Sequence, residues 1–207
     1  MRCKLSTGLV ALDHIMGNQP TNVVLVGPMG SGKTSVGRRL ACVLKRDFFD
    51  SDFEIVARTG VAIDHIFDVE GEEGFRKRET QMLKDLCEIP NIVIATGGGI
   101  VIKEENRALL KQGSFVVYLS SSIAQLVKRT ANSKSRPLLE QSSNREKTIR
   151  DLVEAREGFY QEVADVVIDT TGKKLTLSLV KLKNPYQNEA NFYRCCNIIN
   201  WLWCTSN

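Results

Sequence analysis

The sequence predicts an α/β fold in three layers, a parallel sheet with helices on both faces. Three observations predict it. Short apolar runs, such as Asn22-Val23-Val24-Leu25-Val26 and Asn91-Ile92-Val93-Ile94-Ala95, read as buried strands. Helical stretches separate the runs, so successive strands are joined by crossovers and lie parallel. Between the first strand and the first helix stands Gly27-Pro28-Met29-Gly30-Ser31-Gly32-Lys33-Thr34, the G-x-x-x-x-G-K-[ST] pattern of a phosphate-binding loop.

Each element follows in order. Residues 1–20 read as an N-terminal extension, and 21–182 as one domain. Ser35 to Lys45 predicts a helix with Val36, Leu40, Val43 and Leu44 on one face. Asp47-Phe48-Phe49-Asp50 is a short second strand, and Asp52 to Arg58 a helix that ends at Gly60. Ala62 to Val69 is a short helix stopped near Gly71, and Glu72 to Cys87 a longer one. The third strand, Asn91 to Ala95, runs into Thr96-Gly97-Gly98-Gly99. Glu104 to Lys111 is helical with Gly113 as its stop; a strand follows at Ser114 to Leu119 and a helix at Ser122 to Thr130. The polar stretch from Ala131 to Lys147 reads as a mobile lid. Thr148 to Tyr160 is a helix, Asp165 to Asp169 the last strand, and Leu175 to Leu182 is expected to be a final helix. Residues 183–207 form an atypical tail of Asn, Cys, Tyr and Trp without clear period, in which Ile198 to Trp203 is apolar.

Composition narrows the class. A chain of 207 residues, 43% hydrophobic and 25% charged, suits a single globular domain. The net charge of +4 favours anionic small molecules without arguing for nucleic acid. No apolar run approaches a membrane span, and Asp13 and His14 interrupt the N-terminal stretch, which makes it a poor secretory signal. Six scattered cysteines, with no C-x-x-C pair, fit a reduced compartment and neither a disulfide framework nor a zinc site. A cytoplasmic monomer with no membrane or nucleic-acid partner is expected.

The chemistry begins at the loop. Glycines let the backbone wrap an oxyanion closely, and the wrapped amides end at a helix N-terminus whose dipole favours negative charge. Gly30, Ser31, Gly32, Lys33, Thr34 and Ser35 are therefore the expected nucleotide-binding residues, with Lys33 toward the β- and γ-phosphates and Thr34 toward Mg²⁺. Asp50-Ser51-Asp52 closes the second strand, where an open parallel sheet binds its ligands. One carboxylate there can support Mg²⁺ through water and the other an acceptor hydroxyl; Asp52 can also be a helix N-cap. The third strand does not end in Asp, which leaves Asp50 as the best metal carboxylate. The three glycines at Gly97, Gly98 and Gly99 allow a ligand close to main-chain amides. Arg76, Arg136 and Arg156 remain: a forked guanidinium recognises a small carboxylate, and another neutralises a transferring phosphoryl group.

Across roughly Asn22 to Thr170 the chain resembles the shikimate kinase family. The shared motifs are GPMGSGKT, the DSD at Asp50 to Asp52, GEEGFRKRE at Gly71 to Glu79, TGGG at Thr96 to Gly99, RPLL at Arg136 to Leu139, and R-x-x-x-Y at Arg156 to Tyr160. The resemblance implies a P-loop kinase fold with a five-stranded parallel sheet and a mobile lid at about 131–147. It implies ATP-dependent phosphorylation of the 3-hydroxyl of shikimate, a step toward chorismate and the aromatic amino acids. Carried over by residue, Lys33 and the loop amides hold phosphates, and Thr34 and Asp50 hold Mg²⁺. Asp52 meets the reacting hydroxyl, and Arg76 and Arg156 clamp the shikimate carboxylate, with Glu79 orienting Arg76. Gly97, Gly98 and Gly99 line the acceptor pocket, and Arg136 approaches the γ-phosphate as the lid shuts. The stretch after Lys181 departs from the family pattern. A gluconate-type or nucleoside monophosphate kinase shares the loop and lid but not the full motif set. A non-catalytic nucleotide-binding relative would lack polar groups that are all present here, and no N-K-x-D motif supports a GTPase.

Overall fold

Every residue of strand β1 (Asn22–Val26) is buried, which requires cover on both faces of the strand. The fold supplies it. In the computed structural model, which describes residues 22–131, 144–172 and 176–178, β1 pairs in parallel with β3 (Val93–Ala95) on one side and β4 (Ser114–Ser120) on the other. Strand β2 (Phe48–Asp50) extends the sheet beyond β3, and β5 (Val166–Asp169) extends it beyond β4, both in parallel. These are the five expected parallel strands. A sixth, β6 (Thr176–Ser178), runs antiparallel along β5 and completes the order β2-β3-β1-β4-β5-β6.

Strand β6 stands at Thr176–Ser178 in place of the helix expected from Leu175 to Leu182, the rest of which lies outside the described residues. Thr176, Leu177 and Ser178 pair with Asp169, Ile168 and Val167. The open edge of β5 offers a ladder of unpaired backbone groups, and the Thr-Leu-Ser alternation fits a strand better than a helix. The extension 1–20, the tail 183–207 and most of the expected lid, including Arg136, lie outside the described residues.

Six helices cover the sheet among the described residues: α1 (Lys33–Leu44), α2 (Ser51–Thr59), α3 (Ile63–Glu88), α4 (Glu104–Gly113), α5 (Ile123–Thr130) and α6 (Arg145–Val163). Alternate residues of β1 feed two cores. Val23 and Leu25 pack with Val36, Leu40 and Ala41 of α1 and with Val117 and Leu119 of β4. Val24 and Val26 face the other way, toward Phe75, Met82, Leu83 and Leu86 of α3 and Tyr160 of α6. The two helices expected on either side of Gly71 are continuous in α3 but for that residue, whose φ of 69° and ψ of −178° are not helical. A glycine accepts that conformation without a Cβ penalty, so the chain bends there and turns Phe75 and Arg76 inward. Helix α6 starts at Arg145, three residues ahead of the expected Thr148, because the Asn144 side chain accepts from the Lys147 amide at 3.0 Å and caps the first turn.

One buried side chain ties α3 to the sheet. Asn22 donates from Nδ2 to the Ile89 carbonyl at 2.8 Å and accepts the Ile92 amide on Oδ1 at 3.0 Å. It spans the turn at Asn91, which has a φ of 63°, and so holds the entry into β3. Asn22→Ala leaves the buried Ile92 amide and the partly buried Ile89 carbonyl without their side-chain partner and is expected to cost about 2–3 kcal/mol in urea unfolding. A loss under about 0.5 kcal/mol would show that the turn is held by other contacts.

Candidate active site

Strands β1, β2 and β3 end level with one another. Leu25 pairs with Ala95, and Ala95 pairs with Asp50, so the residues that follow all three strands emerge on one edge of the sheet. There they surround a cavity of about 530 Å³.

The phosphate loop forms one wall. It leaves β1 at Gly27, whose φ is 142° and where a Cβ would lie 2.4 Å from the Leu119 carbonyl oxygen, so only glycine lets the loop turn beside β4. Gly30, Gly32, Lys33, Thr34 and Ser35 line the cavity, as expected. Helix α1 has no side-chain cap and no acidic residue in its first turn, which leaves its first amides available to an anion. Lys33 folds back over the loop and donates to the Gly27 and Pro28 carbonyls at 2.8 and 2.9 Å. Ser31 belongs to the loop by its backbone, but its side chain is fully buried away from the cavity.

The acidic pair divides. Asp50 Oδ1 caps α2 by accepting the amides of Asp52 and Phe53, and Asp50 Oδ2 accepts from Thr34 Oγ1 at 2.7 Å. The N-cap is therefore Asp50, and Asp52, read as a possible cap, lies one step inside the first turn. A hydroxyl and a carboxylate held together beside a phosphate loop are two hard oxygen donors, which fit Mg²⁺ completed by water and phosphate oxygens.

The opposite wall holds the buried charges. Arg76 donates to Glu79 Oε2 at 2.7 Å and to Glu72 at 3.0 Å. Burial opposes its charge, but Glu79 and Glu72 outweigh burial and raise its pKa. Glu79 is fully buried, and its second oxygen, Oε1, has no hydrogen-bond partner among the described residues. Burial pushes this carboxyl up to about 7, Arg76 pulls it back, and the neighbouring Asp52 adds to the rise. The glycine turn lies against these groups. A Cβ on Gly97 would be 2.7 Å from both Asp52 Oδ1 and Glu79 Oε1, and one on Gly99 would be 2.1 Å from the Arg76 guanidinium. Arg156, on α6, donates to the Gly98 carbonyl at 3.3 Å.

Every site residue expected from the sequence lines this cavity except Ser31 and Arg136, the latter outside the described residues. Ile63, Phe67, Phe75 and Arg129 also line it and were not read as site residues. Phe67 and Phe75 stand 4.8 Å apart between centroids and give that wall of the cavity an apolar surface. In the sequence Phe67 looks like any helix face, and Phe75 stands beside Arg76 in the GEEGFRKRE motif without a role of its own. Arg129 donates to the Gly30 carbonyl at 3.3 Å and to the Thr170 carbonyl at 2.7 Å, joining the phosphate loop to the end of β5. No motif marks it, because its partners are distant in sequence.

Glu79 gives the site a pH signature. Its folded pKa is raised, so its contribution to stability is present below pH 4.5 and is lost as pH rises through about 7. Glu79→Gln is expected to melt progressively better relative to the parent between pH 5 and pH 7.5, by roughly 5 °C across that range. A gap between the two melting curves that does not change with pH would contradict the raised carboxyl.

Comparison with known proteins agrees with this geometry. A family model described as shikimate kinase matches residues 29–183. A shikimate kinase of Chromohalobacter salexigens is 52% identical over 155 residues, covering 75% of this chain and 85% of the relative. One of Thioalkalivibrio sulfidiphilus is 49% identical over 169 residues, covering 82% and 88%. Among solved structures, shikimate kinase from Acinetobacter baumannii in complex with shikimate superimposes with a TM-score of 0.74 at 40% identity, over 94% of this chain and 98% of that one. The Bacteroides thetaiotaomicron enzyme gives 0.68 at 28% identity, over 86% and 98%. With its phosphate loop, acidic strand end and glycine turn gathered on one sheet edge, the chain belongs to the shikimate kinase family.

Proposed function

We infer that this protein transfers the γ-phosphoryl group of ATP to the 3-hydroxyl of shikimate, giving shikimate 3-phosphate and ADP. The observation that carries the reading is one cavity with a phosphate loop on one wall and two buried arginines, Arg76 and Arg156, across the glycine turn on the other. A triphosphate fits the first wall and a small carboxylate the second. The carboxylate bridges Arg76, Arg156 and the Gly98–Gly99 amides, and the cyclohexene ring packs on Phe67 and Phe75. That pose points the hydroxyls at Asp52 and at the phosphate loop.

In the reaction the acceptor oxygen attacks the γ-phosphorus, the bond to the β–γ bridging oxygen breaks, ADP leaves, and the hydroxyl proton is released along its hydrogen bond to Asp52. Lys33 exchanges the Gly27 and Pro28 carbonyls for phosphate oxygens. Thr34 and Asp50 would hold Mg²⁺, which when bound neutralises the phosphates' charge. Asp52 accepts the hydrogen bond of the reacting hydroxyl and aligns it; the transition state is loose, so alignment contributes more than strong basicity. Arg136 completes the charge stabilisation from the lid. Glu79 holds the Arg76 fork flat against Gly99. The same reading makes the protein a monomeric cytoplasmic enzyme, in keeping with free thiols at Cys42 and Cys87. No helix among the described residues is long and apolar enough to cross a membrane.

A coupled assay of ADP release tests the acceptor. Shikimate is expected to stimulate release with MgATP, while gluconate and nucleoside monophosphates are inert; the opposite ranking would overturn the assignment. Asp52→Asn is expected to lower kcat by about 10²–10⁴-fold and leave nucleotide affinity within about twofold. Parental turnover in that variant would remove Asp52 from the mechanism.

A further inference from the structure

One buried hydroxyl that the transfer chemistry does not use lies against the glycine turn. Tyr160 donates to the Gly98 carbonyl at 2.5 Å, beside the weaker contact from Arg156. Its ring is fully buried and stacks on Tyr118, with centroids 5.0 Å apart and planes at 19°. The Tyr118 hydroxyl donates to Glu157 Oε2 at 2.6 Å, and Gln161 holds the other Glu157 oxygen at 2.8 Å. Tyr118 sits on β4 opposite Val26, the last residue before the phosphate loop.

Packing alone does not call for these hydroxyls. Phenylalanine fills nearly the same space, and a buried phenol is costly unless it finds an acceptor. Burial pushes the Tyr160 hydroxyl up to about 12, so it remains a donor at neutral pH. What it holds is a peptide plane. The Gly98 carbonyl and the Gly99 amide share one planar trans unit and point in opposite directions. Drawing the carbonyl toward Tyr160 therefore aims the amide away from it. Flanking glycines leave that plane free to rotate unless something outside the turn fixes it. Among the described residues no protein group accepts the Gly98 or Gly99 amide, whereas the Gly97 amide is taken by Ser51 at 3.1 Å.

We propose that Tyr160, steadied by the Tyr118–Glu157 contact, is a positioning residue of the acceptor site. Its hydroxyl locks the Gly98–Gly99 plane so that the Gly99 amide and the Arg76 guanidinium meet the acceptor carboxylate in one fixed arrangement. The inference rests on the reading of the glycine turn as the acceptor pocket.

Tyr160→Phe keeps the stacked ring and removes the donor. The expected result is a KM for shikimate raised about tenfold, with KM for ATP and kcat within about twofold and the melting temperature within a few degrees of the parent. An analogue with a hydroxymethyl group in place of the carboxylate should inhibit parent and variant equally. Tyr118→Phe, one contact further from the turn, should raise the same KM by about two- to threefold. An unchanged KM for shikimate in a folded Tyr160→Phe protein overturns the proposal, as does an equal rise in KM for ATP or an equal loss with the hydroxymethyl analogue. No change in Tyr118→Phe overturns the part of the relay through Glu157. Arg156→Lys separates the tyrosine role from the acceptor-site reading. If it raises KM for shikimate while Tyr160→Phe does not, the tyrosine role alone is wrong; if neither does, the acceptor-site reading falls with it.

Discussion

The level ending of β2, β3 and β1 is the constraint on which the rest of this site depends. Asp50, Ala95 and Leu25 share one line across the sheet, so the acidic pair, the glycine turn and the phosphate loop leave the sheet side by side. Crowding then does much of the positioning. A Cβ on Gly98 would lie 3.4 Å from the Met29 amide, and Gly27 is pressed against the Leu119 carbonyl. The phosphate loop and the glycine turn thus lie side by side, with room for about one methyl group between Gly98 and the Met29 amide. Phosphoryl transfer gains most from such preorganisation, because the protein supplies position and charge and little covalent chemistry.

Charge is arranged with the same economy. On the phosphate-loop wall Lys33 and Arg129 are half-buried, and Lys33 rests on the Gly27 and Pro28 carbonyls. On the opposite wall Arg76 and Arg156 are buried, and a buried guanidinium without a partner is strongly unfavourable. Glu79 meets that need for Arg76, and Glu72 adds a second, more exposed contact. Arg76 is therefore fixed in place and still has a face toward Gly99. Double support of this kind holds a fork in the orientation that a carboxylate requires.

Much of this was legible in the sequence, and the reasons are local. The strands of β1 and β4 announce themselves by continuous apolar runs, and the phosphate loop by residues that the chemistry itself demands. Gly71 was legible as a stop because a positive φ is a property of the residue. Asp50 was harder, since a cap and a metal ligand look alike in sequence and here one residue has both contacts. Arg129, Phe67 and β6 were not legible as what they are. Each depends on a partner supplied by the fold: Thr170, 41 positions from Arg129; Phe75, across the Gly71 bend from Phe67; the open edge of β5 for β6.

Tyr118 and Tyr160 show the same limit from the other side. Read along the chain, Tyr118 is one more apolar position of a buried strand, and Tyr160 is marked only as the last residue of the R-x-x-x-Y motif, with no role attached. Only their stacking gives the pair a direction, from β4 through two rings to the Gly98 carbonyl. Tyr118 is also the register partner of Val26, and the carbonyl of its neighbour Leu119 crowds Gly27. The strand that shapes the exit of the phosphate loop thus also anchors the turn across the cavity. Phosphate loop and glycine turn are both referenced to β4, the loop directly through the Leu119 carbonyl and the turn through Tyr160 of α6, which stacks on Tyr118.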